Sequence, residues 1–239
     1  MESGTQAIVE LAWARVLGLE DDAFDAEPGR RLTRVDESVV TFVSLGAHRV
    51  LVGPAWLLDR AAEVDDPVLA SGPGLLGLTA RPPAGQGAGR LLHASVLAFT
   101  DAYVDHPALE SAVVADDPQA VHDLERECPP DDVTQVGLAA LAQRFVVLDD
   151  REAPVAGSGY GEQQGILADL GVLTPPALRR EGHGLLAGAL AVNDALDSGL
   201  VAQWRSRADD VAAAALGRRL GFAPAGTQTT LLLPGTPPG

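Results

Sequence analysis

The stretch "TPPALRREGHG", residues 174 to 184, gathers two arginines and two glycines directly ahead of the apolar run "LLAGALAVNDAL". The first N–H groups of a helix lack internal partners and lie at the positive end of its dipole, so a helix starting near Gly182 can hold an anion. Gly182 and Gly184 carry no Cβ to keep a phosphate away. Arg179 and Arg180 add positive charge at the rim, and Glu181 subtracts some. The pattern reads as a phosphate cradle.

Two common cradles are excluded. A dinucleotide fingerprint needs Gly-x-Gly-x-x-Gly after a strand, which neither "GSGYGE" nor "EGHGLL" satisfies. A Walker loop needs lysine, and all 17 basic residues here are arginine. The absence of lysine also removes Schiff-base and pyridoxal phosphate chemistry. Together with abundant Ala, Gly, Arg and Pro it points to a G- and C-rich coding bias and a bacterial source.

Cys128 is the only cysteine, so an intramolecular disulfide and a multi-thiolate zinc site within one chain are both excluded. Beside Pro129 and Pro130 it reads as a bystander thiol in a turn. His48, His93, His106 and His122 show no ligand spacing, and no metal is expected. His183, inside the cradle, reads as a helix-start neighbour rather than a catalyst.

The elements that must position the cradle follow from periodicity. The reading expects strands at "RFVVLDD", "PVAGSGYG" and "ILADLGVLT", a helix from about Gly182 to Asp197, a strand at "VAQWRSR", a helix from Asp209 to Leu220, and a closing strand or hairpin through "GTQTTLLL". The tail "PGTPPG" should fray. Earlier in the chain, "TQAIVELAWARVLG" reads as a helix, "VVTFVSLG" and "RVLVGP" as strands, and "PAWLLDRAAEV" as a helix. "LLGLTA" reads as a strand, and "PPAGQGAGRLLHASVLAFTDAY" as a glycine turn feeding another helix.

The halves echo one another: "ARPPAGQGAGRLLHASVLAF" and "LTPPALRREGHGLLAGALAV" share Pro-Pro-Ala, a Gly-x-Gly and an Ala/Leu-rich run. Duplication and chance similarity of alanine-rich helices both remain open. The expected organisation is an N-terminal α/β domain over 1–127 and a second domain over 128–239.

At 239 residues and 46% hydrophobic, the chain can bury one large core or two small ones. No segment approaches the ~20 apolar residues of a bilayer span, and the N-terminus lacks a signal peptide's basic region, so a cytoplasmic protein is expected, with no membrane partner. A net charge of −16 argues against nucleic acid, which needs clustered cations. Hydrophobic strands near the C-terminus leave room for a homodimer.

Arg-x-x-Gly-x-Gly at 179 to 184, following strand residue Val172, resembles the pyrophosphate loop of the GNAT acyltransferase superfamily, whose pattern is Gln/Arg-x-x-Gly-x-Gly/Ala. The resemblance continues through "VAQWRSRADDVAAAALGRRLGF", which looks like the family's later strand and helix and ends in Leu220, Gly221 and Phe222. It covers roughly residues 131 to 235; the first half resembles the family only through the internal echo, as a degenerate copy. The resemblance implies an α/β (α+β) fold with a central mixed, mostly antiparallel sheet flanked by helices, in tandem if the echo is real. It implies acetyl-CoA as cosubstrate and an N-acyltransferase that passes an acyl group to an amine of a small molecule or peptide.

By that resemblance, the strand at Leu170 to Thr174 splays from the next near Trp204, and the pantetheine of coenzyme A pairs with its exposed main chain, at Val172, Leu173 and Thr174. Arg179, Arg180, Glu181, Gly182, His183 and Gly184 would hold the pyrophosphate. Departures are equally specific: Asp210 stands where many members carry Asn, Ala213 where Ser is frequent, and Gly217 where a tyrosine protonates the departing thiolate. Asp169, through water, or Glu162 would deprotonate the amine, and Tyr160 is the candidate acid. Asp169 also reads as a strand carboxylate satisfied by neighbouring amides, and Tyr160 as a core or rim aromatic. The competing reading is a GNAT-like protein that binds coenzyme A, or only keeps the fold, without chemistry.

Overall fold

The computed structural model describes residues 3–25, 29–84 and 87–234. The end of the tail expected to fray, 235–239, and residues 85–86 of the first glycine turn lie outside the described residues. The chain divides into two compact units, each discontinuous in sequence. One comprises residues 10–97, 206–211 and the chain from 224 onward; the other comprises 1–9, 98–205 and 212–223. Residues 98–127 therefore share a unit with the candidate cradle.

At residue 10, α1 (Ser3–Val16) passes from the second of these units, the carboxy-terminal unit, into the first, the amino-terminal unit, where it leads to β1 (Arg31–Val35), β2 (Val39–Leu45) and β3 (His48–Gly53), then α2 (Ala55–Ala61), α3 (Asp66–Leu69) and α4 (Gly72–Thr79). β3 lies between β1, which it pairs in parallel, and β2, which it pairs antiparallel. The outer side of β2 takes the chain's last strand, β10 (Ala223–Leu232), antiparallel. Phe42, Leu51, Leu57, Leu69, Leu75 and Leu231 form the core of this unit.

Between these parts, β4 (Arg90–Thr100) leads to β5 (Val113–Ala115), α5 (Pro118–Arg126), α6 (Pro130–Val136), β6 (Gln143–Leu148), β7 (Pro154–Gln163) and β8 (Leu167–Leu173). α7 (His183–Asp197), β9 (Val201–Arg207) and α8 (Val211–Arg219) follow. Strands β5 to β8 form an antiparallel meander, and β8 then pairs β9 in parallel across α7. This is the mixed, mostly antiparallel sheet flanked by helices that the sequence implies.

The two faces of this sheet are built differently. Directly opposed residues share a face, so Ser158 and Val172, and Tyr160, Leu170 and Trp204, project to one side. There α7 is pinned: Ser158 Oγ donates to the Ala187 carbonyl at 2.5 Å and the Tyr160 hydroxyl donates to Asp194 at 2.7 Å. On the other face β7 presents Gly157, Gly159 and Gly161. A Cβ on Gly157 would lie 2.5 Å from Leu124 and 2.7 Å from Leu138, so the missing side chains let the chain between α5 and β6 settle on the strand.

Three expectations are corrected. "RLLHASVLAFT" is strand β4, not a helix. Its Ala and Leu content favours a helix, but Leu97 to Thr100 are buried in succession, as an interior strand requires and a one-striped helix does not allow. "LLGLTA" belongs to helix α4, whose start is marked by Ser71, accepting from the Gly74 N–H at 3.1 Å, and by Pro73. "PPDDV" opens α6 rather than a plain turn; Pro130 needs no N–H at a first helical position, and Asp131 and Asp132 suit the positive end of the dipole. The echo between the halves therefore joins a strand to a helix. No helix among the described residues is long and apolar enough to cross a membrane.

The glycine face yields a paired prediction. In Gly159→Ala the new methyl overlaps the Gln143 carbonyl oxygen, whereas in Gly161→Ala it meets only Leu141 at 3.8 Å. Urea denaturation should show Gly159→Ala destabilised by roughly 2–3 kcal/mol and Gly161→Ala within about 0.5 kcal/mol of the parent.

Candidate functional site

Strands β8 and β9 pair from Leu167 and Val201 to Leu170 and Trp204. Beyond that point β8 continues to pair with β7 through Gly171, Val172 and Leu173, but its register with β9 stops. The main chain of β8 thus has one bonded edge and one parted edge over its last residues. A parted edge is a template for an extended, amide-bearing ligand, because N–H and C=O groups recur along it. The splay expected near Trp204 is present at that residue.

At the open end of the parting, a short 3-10 turn (Pro176–Leu178) delivers the chain to the cradle. Arg180 has φ +70° and Gly182 φ +98°, both left-handed, and α7 starts at the next residue. The Leu185 and Leu186 N–H groups return to the Gly182 carbonyl at 2.9 and 3.1 Å. His183 and Gly184 occupy the first two helical positions, whose N–H groups have no acceptor within the helix. Alternating hand in the loop and these amides form a concavity of the kind that can hold an anion. No atom lies within 4 Å of a Cβ built on Gly182, so the approach to the helix start is open.

The two arginines of the cradle play different parts. Arg179 donates from Nε to the Thr174 carbonyl at 3.0 Å and from Nη2 to Asp132 at 2.6 Å, tying the loop to the end of β8 and to α6. Arg180 is exposed and has no ion-pair partner among the described residues, so it carries the available positive charge. His183 Nε2 lies 3.4 Å from Glu181. Thr174 Oγ1 would lie 2.8 Å from a Cβ on Gly184, and Val172 lies 3.6 Å from the same point, which makes Gly184 the close contact between α7 and the end of β8. The Leu173 side chain is buried with Leu124, Cys128 and Leu138. Burial pushes the Cys128 thiol up to about 11, against the pull of Arg179, so it remains protonated and unreactive.

The three candidates for proton transfer do not converge. Tyr160 is 3% exposed beneath α7, and its hydroxyl is committed to Asp194. Burial, with Asp194 adding to it, pushes this phenol up to about 12. Asp169 projects to the opposite face, where Gln203 Nε2 donates to it at 3.0 Å and Arg205 holds both carboxylate oxygens. The expected satisfaction of Asp169 by neighbours holds, but the neighbours are side chains; the sequence reading left out Gln203 and Arg205, which lie two and four residues into β9's own period-two pattern. Glu162 is exposed near the end of β7 and is the carboxylate open to solvent. Asp210 directly precedes α8 within 206–211, the segment grouped with the amino-terminal unit.

Gly217 faces Trp204. A Cβ at 217 would fall 3.0 Å from Cδ1 and 3.1 Å from Nε1 of the indole. Glycine here is a packing requirement of Trp204, and the room for a restored tyrosine is absent. Trp204 is 6% exposed and lies tilted against Phe222, with ring centroids 5.8 Å apart. Its Nε1 has no hydrogen-bond partner among the described residues.

No family model and no curated protein matches this sequence. Solved structures do. A GCN5-related N-acetyltransferase from Kribbella flavida is 22% identical over 62% of this chain and 60% of that one, with a TM-score of 0.44. An acetyltransferase from the GNAT family of Colwellia psychrerythraea is 16% identical over 62% and 57%, with a TM-score of 0.43. The ribosomal-protein-S18-alanine N-acetyltransferase of Escherichia coli is 17% identical over 54% of this chain and 96% of that one, with a TM-score of 0.38. This chain thus spans about 60% of the length of the first two. At these identities the similarity concerns the arrangement of the chain.

Tyr160 gives a prediction independent of ligand. Tyr160→Phe leaves Asp194 without its phenol donor and should cost about 1.5–3 kcal/mol of stability, with little change in ligand affinity. Because the folded phenol titrates about 12 and the unfolded one near its ordinary 10, the unfolded state loses its proton first as pH rises. The parent should therefore lose stability between those pH values, and denaturation of Tyr160→Phe should lack that component.

Proposed function

We propose that the carboxy-terminal unit binds an acyl-coenzyme A, acetyl-CoA foremost, and passes its acyl group directly to a primary amine of a small molecule or peptide. The observation that carries this reading is the parting of β8 from β9 beside a left-handed, arginine-bearing helix start. One ligand suits both: a diphosphate for the cradle and an extended amide chain for the strand edge. The residues present fit it, since Gly182 leaves the helix start open and Gly184 seats α7 against Thr174 without a side chain in the way.

When bound, the coenzyme presents the acyl group as an activated thioester. The chain contributes position and polarity. The amides of α7 and the Arg180 guanidinium hold the phosphates, the edge of Gly171 to Leu173 aligns the arm, and Arg179 fixes the loop through Thr174 and Asp132. Alignment of two reactants in one cleft supplies much of the rate in a direct transfer. Glu162, exposed on β7, is the carboxylate placed to take a proton from an ammonium acceptor, directly or through water. Asp169, clamped by Arg205, orients rather than accepts. The net charge of −16 favours a cationic acceptor. A cytoplasmic setting and a homodimer belong to the same reading.

A second reading has its own support: coenzyme A binding without transfer. Gly217 closed off by Trp204 and Tyr160 committed to Asp194 leave both tyrosine-type acid positions unusable. Release of free thiol from acetyl-CoA with a panel of amines separates the two, and turnover with any amine eliminates the inert reading.

Calorimetry should give one coenzyme A per chain. Gly182→Val should lose most of that binding, and because φ +98° strains any side chain, Arg180→Ala serves beside it, with affinity falling roughly tenfold. Two sites per chain, or full affinity in both variants, would remove the cradle from the site.

A further inference from the structure

Helix α4 carries three glycines, and packing accounts for two of them. A Cβ on Gly74 would lie 2.1 Å from the Val68 carbonyl oxygen, and one on Gly72 would lie 3.2 Å from Leu91. The third, Gly77, has no atom within 4 Å of that position and no left-handed φ to require it. Glycine inside a helix is less stable than alanine. Neither packing nor backbone conformation among the described residues explains its presence.

Gly77 lines a groove of about 530 Å³ together with Arg60, Leu78, Ala80 and Arg81. Arg60, in the last turn of α2, is held in place there: its guanidinium lies 4.8 Å from the centroid of the Trp56 ring, and Nη1 donates to the Leu78 and Arg81 carbonyls at 3.3 and 2.6 Å. The Leu76 carbonyl accepts from the Thr79 hydroxyl and the Gly77 carbonyl from the Ala80 N–H. These carbonyls are thus turned to internal donors, which weakens what the negative end of α4 presents to an anion. Arg60 keeps Nε and Nη2 for another acceptor, and Arg81 keeps its whole guanidinium; neither residue has an ion-pair partner among the described residues. The chain has 33 acidic residues against 17 arginines, yet no carboxylate lines this groove, those of the neighbouring Asp59 and Glu63 included.

We propose that this groove, which lies wholly in the amino-terminal unit, binds the phosphate group of a soluble small molecule. The Arg60 and Arg81 guanidiniums take its oxygens, and Gly77 leaves the helix backbone open to its approach. Two cations match the charge of a phosphate monoester, about −2 at neutral pH, and the planar fork of a guanidinium matches its oxygens. A net charge of −16 turns the chain away from anionic membrane surfaces, which favours a soluble phosphate over a lipid headgroup. This site does not depend on the acyl-coenzyme A reading and stands or falls separately from it.

Inorganic phosphate is the probe. In 1H–15N spectra of the whole chain at constant ionic strength, the Gly77 and Arg81 amide signals should shift together as phosphate is added, with a dissociation constant of roughly 1 mM. Chloride should not move them. Arg81→Gln removes a guanidinium that the fold does not use and should weaken phosphate binding roughly tenfold. Gly77→Met should raise Tm, because a helix-favouring side chain enters open space, and should weaken phosphate binding by a similar factor. Loss of binding in a stabilised variant cannot be ascribed to unfolding. Vesicles containing phosphatidic acid should not sediment the protein. Equal shifts with chloride, full phosphate affinity in either variant, or sedimentation with those vesicles that Arg81→Gln abolishes would overturn the proposal.

Discussion

Four residue pairs of parallel ladder, ending at Leu170 and Trp204, set the geometry on which the candidate site depends. A parallel pair needs a crossover connection, here α7, and the crossover must return the chain to the sheet within a short loop. Its start is therefore forced to the C-terminal end of β8, beside the strand edge that β9 abandons. The helix-start amides and the parted edge are consequences of a single connection. Neither would be useful alone, since amides without the edge bind any small anion and the edge without amides binds any extended chain.

That connection is held by unequal faces. On the α7 side, polar pins through Ser158 and Tyr160 reach from β7 to the helix, fixing it along its length. On the opposite side the sheet is fixed by absence: alternate glycines on β7 and Gly171 on β8 admit neighbouring chain closely, with a Cβ at 171 falling 2.8 Å from Val136. α6 is in turn tied to the cradle by Asp132 and Arg179. One arginine thus couples the loop geometry to the glycine face, which explains why the paired arginines of the sequence are not equally free.

Much of this was legible in the sequence. Arg179 to Gly184, β8, α7, β9 and α8 each carry strong periodicity or glycine punctuation, and the structure places them where those signals lie. What escaped were facts that depend on distant residues. "RLLHASVLAFT" has helical composition, and only burial on both faces makes it a strand. Ser71 and Pro73 did signal a helix start, and the competing apolar run obscured it. For the site, Asp169 read either as a base or as a satisfied strand carboxylate, and Arg205 holds its oxygens; Tyr160 read either as an acid or as a core aromatic, and Asp194 accepts from its hydroxyl. Gly217 read as a lost tyrosine; the indole that requires it lies thirteen residues earlier and on another element.

The charge of the chain adds a final constraint on how such a cradle must work. A protein of net charge −16 repels a phosphate ligand at long range, yet screening limits that repulsion to about 8 Å at physiological ionic strength. Within that distance a side-chain cation is easily cancelled, as Asp132 takes up Arg179. Backbone amides at a helix start cannot be cancelled in this way, because their orientation is fixed by the helix and no neighbouring carboxylate can titrate them. The proposed diphosphate would therefore be held by amides first and one uncommitted arginine second, the balance found between the start of α7 and Arg180.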